Sequence, residues 1–305
     1  MKKGVFSHFS PALQLILLLI IVISSSIVVT AVFVAAAIPF TGLEPIMEFM
    51  NGGTSVAYLK YLQLVQSIAI FIVPALLAAM LFSAKPRQWL GFFKTEDKAI
   101  VLAILSLIAI QPFITWLAEV NSQITLPNSF AALSEWMQAS EKASNTLIFQ
   151  FLDSSNPSAI LFNVFLIAII PALGEEMLFR GSIQPLLAGI LKNKHLAVLL
   201  TAILFSAMHL QFLTFLPRFV LGVLLGYMLV YGKSIWYPIA AHFTNNALSL
   251  IIFYYYRKYK PELNPLEPTP GESSLLLAIF SVILLCVLMY YFRKILATRY
   301  KELSS

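Results

Sequence analysis

Three short stretches of this 305-residue chain put groups capable of acid–base chemistry at helical spacing. In PALGEEMLFRGSIQPLL, residues 171–187, Glu175 and Glu176 stand side by side, and Arg180 follows Glu176 by one helical turn. In FSAMH, Phe205 and His209 are four apart; in HFTNN, His242 and Asn246 are four apart. Residues four apart share a helix face, so three segments each offer one polar or aromatic–polar face. A carboxylate near an imidazole can hold and deprotonate a water, the general-base half of hydrolysis. A second histidine with an amide on the same face can donate to an oxyanion. No serine stands in a nucleophile elbow, and Cys286 lies in an apolar run without a nearby base. Attack by activated water is therefore the economical mechanism. Two histidines and a carboxylate are also the ligand set of hydrolytic zinc sites, so His209, His242 and Glu175 could hold Zn2+ or another divalent metal. The H-E-x-x-H helix is absent, so the zinc reading rests on residue type and not on spacing. Phe205 reads most simply as a packing residue.

These groups stand out because of what surrounds them. The chain is 59% hydrophobic and 11% charged, with a mean hydropathy of +0.85, where soluble domains carry about a quarter charged residues. The fold class expected is all-α, a polytopic membrane helix bundle of about eight transmembrane helices with the site inside it. Hydropathy places the spans at 12–38, 59–82, 99–118, 158–191, 196–216, 218–232, 235–255 and 273–292. The net charge of +6 comes without a basic patch interleaved with aromatics, so nucleic acid is not an expected partner; the lipid bilayer is. With Lys2 and Lys3 inside, fourteen of the twenty Lys and Arg residues fall on the inner side, counting Arg180, and six on the outer. That bias predicts a multi-pass protein of the cytoplasmic membrane with both termini cytoplasmic. The first apolar run imitates a signal peptide and offers Ala35–Ala37 as a cleavage site, but its length reads as a retained helix.

Three regions follow. Residues 1–157 hold the N-terminal helices and a mixed-polarity outer helix around 129–151, expected on the membrane surface or capping the bundle. Residues 158–255 carry every chemical group named above. Residues 256–305 read as a proline-rich outer loop (256–272), a last span and a basic tail. Helix offsets at 1.5 Å per residue bring Glu175, His209 and His242 to comparable depth, if the fourth span is unbroken at Pro171 and Gly174. Interhelical hydrogen-bond glue accounts for Asn246, Ser206 or Thr244 taken singly. It does not account for two carboxylates, two histidines, an arginine and an asparagine together, each costly to insert. His8 and His195 sit at a terminus or loop, and the aromatic tract at 253–256 reads as an interfacial belt.

The ordered trio Glu-Glu-x-x-x-Arg (EEMLFR), Phe-x-x-x-His (FSAMH) and His-x-x-x-Asn (HFTNN), each on its own hydrophobic segment, resembles the CAAX protease and bacteriocin-processing family. This is the Abi group of intramembrane endopeptidases, which includes type II CAAX prenyl endopeptidases. The likeness covers about 158–252. It implies that Glu175, with His209, activates the water, that His242 and Asn246 bind the oxyanion, and that Glu176 and Arg180 form a supporting ion pair. Members were first described as metalloproteases, and whether they use a metal is disputed. The implied substrate is a membrane-associated peptide or protein, a prenylated CAAX tail or a leader or pheromone peptide. Two other classes compete. A transporter could use the same buried Glu, His and Arg groups, although the sequence lacks paired inverted repeats. A non-catalytic family member could act as a scaffold or immunity factor.

Overall fold

The computed structural model describes residues 4–302 except 54, 155, 263, 265 and 267–273. Lys2, Lys3 and most of the 256–272 loop beyond Glu262 lie outside the described residues, as do the side chains of Arg299 and Lys301. Among the described residues the structure is all-α. The main helices are α1 Pro11–Thr41, α2 Val56–Phe82, α3 Asp97–Ser122, α4 Ala131–Leu152, α5 Pro157–Leu191, α6 Lys194–Ala207, α7 Phe215–Gly232, α8 Trp236–Tyr259 and α9 Leu275–Glu302. Shorter helices at Glu44–Met50 and Pro86–Trp89 fill connections.

Six of these are long and apolar enough to cross a membrane: α1, α2, α3, α5, α7 together with the turn before it, and α9 over Leu275–Thr298. The chain is a multi-pass membrane protein. Two of the eight expected spans do not meet that description, for physical reasons. Helix α6 has 14 residues, about 21 Å at 1.5 Å each, against a hydrocarbon core of about 30 Å. Helix α8 has the length, but His242, Thr244, Asn245 and Asn246 in its first half lower its hydropathy. The boundary expected near residue 217 lies earlier, at 208–211, where α6 gives way to irregular chain and a 3₁₀ turn at Phe212–Thr214. Other ends differ too. Helix α8 continues through Tyr259 into the expected loop, and the basic tail after residue 292 is still α9. The outer helix expected at 129–151 is α4.

Helix α5 is unbroken at Pro171 and Gly174, because the chain widens locally. A π-helical stretch at Val164–Ile169 ends two residues before Pro171, and a second at Phe179–Ile183 ends two residues before Pro185. The same happens in α2, where Ile68–Ile72 is π-helical ahead of Pro74. Proline lacks the N–H for an α-turn and its ring crowds the carbonyl four residues back. A wider turn relieves that crowding without ending the helix. Asn193 starts α6, its side chain accepting from the N–H groups of His195 (2.9 Å) and Leu196 (3.2 Å), as an N-cap does.

The catalytic candidates lie where α5, α6, α7 and α8 meet. Helix α9, although distant in sequence, packs along α3. Helices α6 and α7 approach closely through glycine: a Cβ on Gly222 would lie 3.0 Å from Ala202 Cβ and 3.4 Å from Phe205 Cδ1, and one on Gly226 would lie 2.9 Å from Val198 Cγ1. In membranes such small-residue contacts carry helix association. Gly222→Val is therefore expected to lower stability by about 1–3 kcal/mol through overpacking, read as an earlier melting transition in detergent, whereas Leu276→Ala on the exposed face of α9 leaves it unchanged.

Candidate functional site

The polar residues of α5 point into the protein at successive turns. Glu176 and Arg180 are fully buried, and Arg180 Nη1 donates to Glu176 Oε1 at 2.7 Å. Arg180 Nη2 donates to the Gly222 carbonyl on α7 at 3.0 Å. One turn on, Gln184 Nε2 donates to the Gly226 carbonyl at 3.1 Å. A Cβ at 226 would lie 2.9 Å from Gln184 Oε1, so the missing side chain there leaves room for Gln184, whereas the one missing at 222 leaves room for Ala202 of α6. In hydrocarbon a guanidinium must find partners within the protein, and these are two: a carboxylate and a backbone oxygen.

Glu176 has a second partner. His242 on α8 donates from Nδ1 to the same Oε1 at 2.9 Å, so one carboxylate oxygen orients both an arginine and a histidine. A carboxylate only accepts, so the proton on Nδ1 is fixed and Nε2 is the ring's free end. That end faces Glu175 Oε2 at 3.9 Å, beyond direct hydrogen-bond range. Glu175 Oε2 is buried with no hydrogen-bond partner, as are Glu176 Oε2 and Arg180 Nε.

His209 is held differently from what its spacing suggests. It stands past the end of α6, and its Nδ1 lies 2.9 Å from the Phe205 carbonyl. A carbonyl can only accept, so Nδ1 carries the proton and Nε2 keeps its lone pair. The imidazole acts as a cap on a free helix carbonyl. It is His242, not His209, whose nitrogen makes the 3.9 Å contact with Glu175.

Phe205 joins the group. Its ring packs edge-on with His209 (5.2 Å between centroids), His242 (5.7 Å) and Phe179 (5.4 Å), and the Arg180 guanidinium carbon lies 4.5 Å from its centroid. It is a packing residue, but what it packs are the site's own rings and its cation. Asn246 lies one turn after His242 on α8, half-buried, with its Oδ1 accepting from Asn245 Nδ2 at 3.3 Å. That bond leaves its own amide N–H groups for another acceptor.

The α5, α6 and α8 motifs thus form one cluster tied through Glu176 and Phe205. Residues 157–248 match the family described as Type II CAAX prenyl endopeptidase Rce1-like. This segment is a CAAX-type, Rce1-like protease domain. It runs from the start of α5 into α8 and contains every site residue expected from the sequence. No curated protein and no solved structure matches the chain.

Several residues that hold the Rce1-like domain together were not singled out by sequence. Gly222 and Gly226 carry a readable signal, a small residue every four positions in an apolar helix. Gln184 on α5, Arg218 on α7, Glu141 on α4 and Asn121 on α3 carry none, because each is an ordinary polar residue until the helices are placed. For a metal, the relevant geometry is that both Nδ1 atoms are engaged, leaving the two Nε2 atoms and Glu175 as donors. Among the described residues no three His, Cys, Asp or Glu side chains are gathered into a ligand set.

The ion pair and the free carboxylate make separable predictions. Removing one member of a buried pair leaves an unpaired charge, at a cost of about 3–5 kcal/mol. Glu176→Ala and Arg180→Ala should both melt markedly earlier than the parent in detergent. Glu175→Gln, which neutralises a carboxylate with no ion-pair partner of its own at hydrogen-bond distance, should melt with the parent.

Proposed function

We propose that this protein is an intramembrane endopeptidase that hydrolyses a peptide bond in a membrane-associated peptide or protein. One observation carries the reading: the Glu175 oxygen, buried without a partner, faces the free nitrogen of an imidazole already oriented by Glu176. A buried acceptor of this kind calls for a ligand, and water is the ligand that hydrolysis needs.

The chain's own groups then have distinct tasks. Glu175 takes a proton from the water as its oxygen attacks the substrate carbonyl carbon. His209 Nε2, a lone-pair acceptor by virtue of the Phe205 bond, aligns the same water through its other proton. Asn246 Nδ2, and His242 Nε2 when it holds a second proton, donate to the carbonyl oxygen as it becomes an oxyanion. Glu175 returns its proton to the amide nitrogen, the C–N bond breaks, and an acid and an amine leave. Glu176 and Arg180 keep His242 and α7 in place throughout. In a second version, His209, His242 and Glu175 hold a divalent metal such as Zn2+, which would supply Lewis-acid polarisation; the two Nε2 donors on neighbouring rings favour testing it.

The surrounding topology is part of the proposal. Both termini lie on the cytoplasmic side, residues 158–255 are the catalytic core, and the substrate is a prenylated CAAX tail or a leader or pheromone peptide delivered through the bilayer. The Rce1-like match supports the reaction class.

Three measurements test the reading. Glu175→Ala and His209→Ala should each lower cleavage of a lipidated peptide by about 10²–10⁴-fold, and His242→Ala or Asn246→Ala by about 10²–10³-fold. Full cleavage by Glu175→Ala would overturn the hydrolytic role and make solute flux in proteoliposomes the next assay, because a carrier could use the same groups. A chelator separates the versions: loss restored by zinc assigns the metal, and unchanged turnover assigns the glutamate–histidine water. Serine- and cysteine-directed inhibitors should have no effect, and Cys286→Ser should be fully active.

A further inference from the structure

His209 stands past α6 in a stretch, 208–214, where tighter bonds from the His209 and Leu210 N–H groups to the Ser206 and Ala207 carbonyls replace the α ladder ahead of the 3₁₀ turn at Phe212–Thr214. Leu210, next to it, has φ +52°, a left-handed conformation that is uncommon for a residue with a branched side chain. Such a residue persists only where its surroundings over-determine it. Part of that determination comes from α4, which lies outside the matched domain.

Helix α4 grips the stretch over less than three turns. Ser140 Oγ donates to the Leu210 carbonyl at 2.8 Å. Glu141 Oε2 accepts from the Leu213 N–H at 3.2 Å, and its Oε1 lies 3.4 Å from both Gln211 Nε2 and Thr214 Oγ1. Trp136 packs against Phe212 with centroids 5.1 Å apart. Glu141 is only 6% exposed, although α4 is an outer helix of mixed polarity. Arg218 on α7 donates to Thr214 Oγ1 and Gln211 Oε1, each at 2.5 Å, and Asn121 on α3 donates to the Phe212 carbonyl at 3.1 Å.

We propose that α4 is a clasp for the His209 stretch and that Glu141 is a positioning residue for the reaction. The proposal rests on the hydrolytic reading for its kinetic consequence, but not for its structural one. Glu141 touches no reacting atom. It satisfies the backbone N–H at Leu213 and two polar side chains beside it, while Ser140 holds the left-handed residue adjacent to the imidazole. Irregular backbone at membrane depth survives only when protein satisfies it, and from outside the matched residues α4 does so at Leu210 and Leu213, with Asn121 of α3 at Phe212. Releasing the clasp lets 208–214 relax and turns the His209 ring away from its water.

The test uses the full chain in lipid nanodiscs. Glu141→Ala should lower kcat on a cleaved peptide about tenfold or more, as a misaligned catalytic group does, with KM within about twofold. Glu141→Gln, whose amide oxygen still accepts from the Leu213 N–H, should restore most of the loss. Independently of any substrate, hydrogen–deuterium exchange should quicken over 208–214 in Glu141→Ala and stay at parental rates over α5. If the parent cleaves no peptide, the exchange measurement alone decides the clasp. If Glu141→Ala does not accumulate, Ser140→Ala, which removes only the Leu210 bond, is measured the same way. Parental exchange over 208–214 in these variants overturns the proposal, as does parental kcat in Glu141→Ala.

Discussion

The architecture depends on a charge that has nowhere else to go. Arg180 is fully buried in a protein solvated by lipid, so its guanidinium must be neutralised and hydrogen-bonded within the fold. Glu176 neutralises it, the Gly222 carbonyl takes its other end, and the Phe205 ring covers its face. Each of these partners imposes a second condition. Glu176 uses the same oxygen for His242, which ties α8 to α5. At Gly222 itself α7 has no side chain, which lets Ala202 and Phe205 of α6 pack closely against it. Phe205 then sets where the two imidazoles stand. Satisfying one cation thus fixes the mutual positions of the four helices that form the candidate site.

A second constraint concerns the shortness of α6. A helix end leaves unsatisfied carbonyls, and one of these, the Phe205 oxygen, is answered by the His209 side chain, while Ser206 ties the end of α6 to the start of α7 by donating to the Phe215 oxygen. The interruption creates the catalytic candidate's geometry instead of merely tolerating it. Its backbone draws donors and acceptors from α3, α4 and α7, so the contacts that hold the candidate site reach beyond the matched residues 157–248. A helix of mixed polarity finds its use here, because it offers both a serine and a carboxylate to the stretch that carries His209.

The sequence showed the helical class, the three motifs and the Glu176–Arg180 spacing, because each depends on local periodicity or on the insertion cost of a named residue. It placed His209 on a helical face with Phe205, and the structure replaces that face with a capped helix end. Four-residue spacing brings two side chains together in either arrangement, so the spacing could not tell them apart. The pairing of His242 with Glu176 was equally hidden, since adjacent carboxylates on α5 differ by about 100° of helix rotation and only the packed bundle shows which points where. Glu141 and Arg218 carry no local signal of the contacts they make. Glu141 is buried by contacts with a segment some seventy residues away, which no local pattern encodes.

The widened turns in α5 have one further consequence. A π turn holds one residue more than an α turn, so each one advances the angular phase of everything after it by roughly 100°. The stretch at Phe179–Ile183 begins immediately before Arg180 and ends immediately before Gln184. Of the two side chains that clamp α7 at Gly222 and Gly226, Arg180 therefore lies within the phase step and Gln184 just past it. Pro185 makes that step the favoured state of the helix, and Pro171 does the same for the turn that precedes Glu175 and Glu176. The prolines act as a vernier: they set the azimuth at which the carboxylates leave the helix, using residues that never touch the reacting groups.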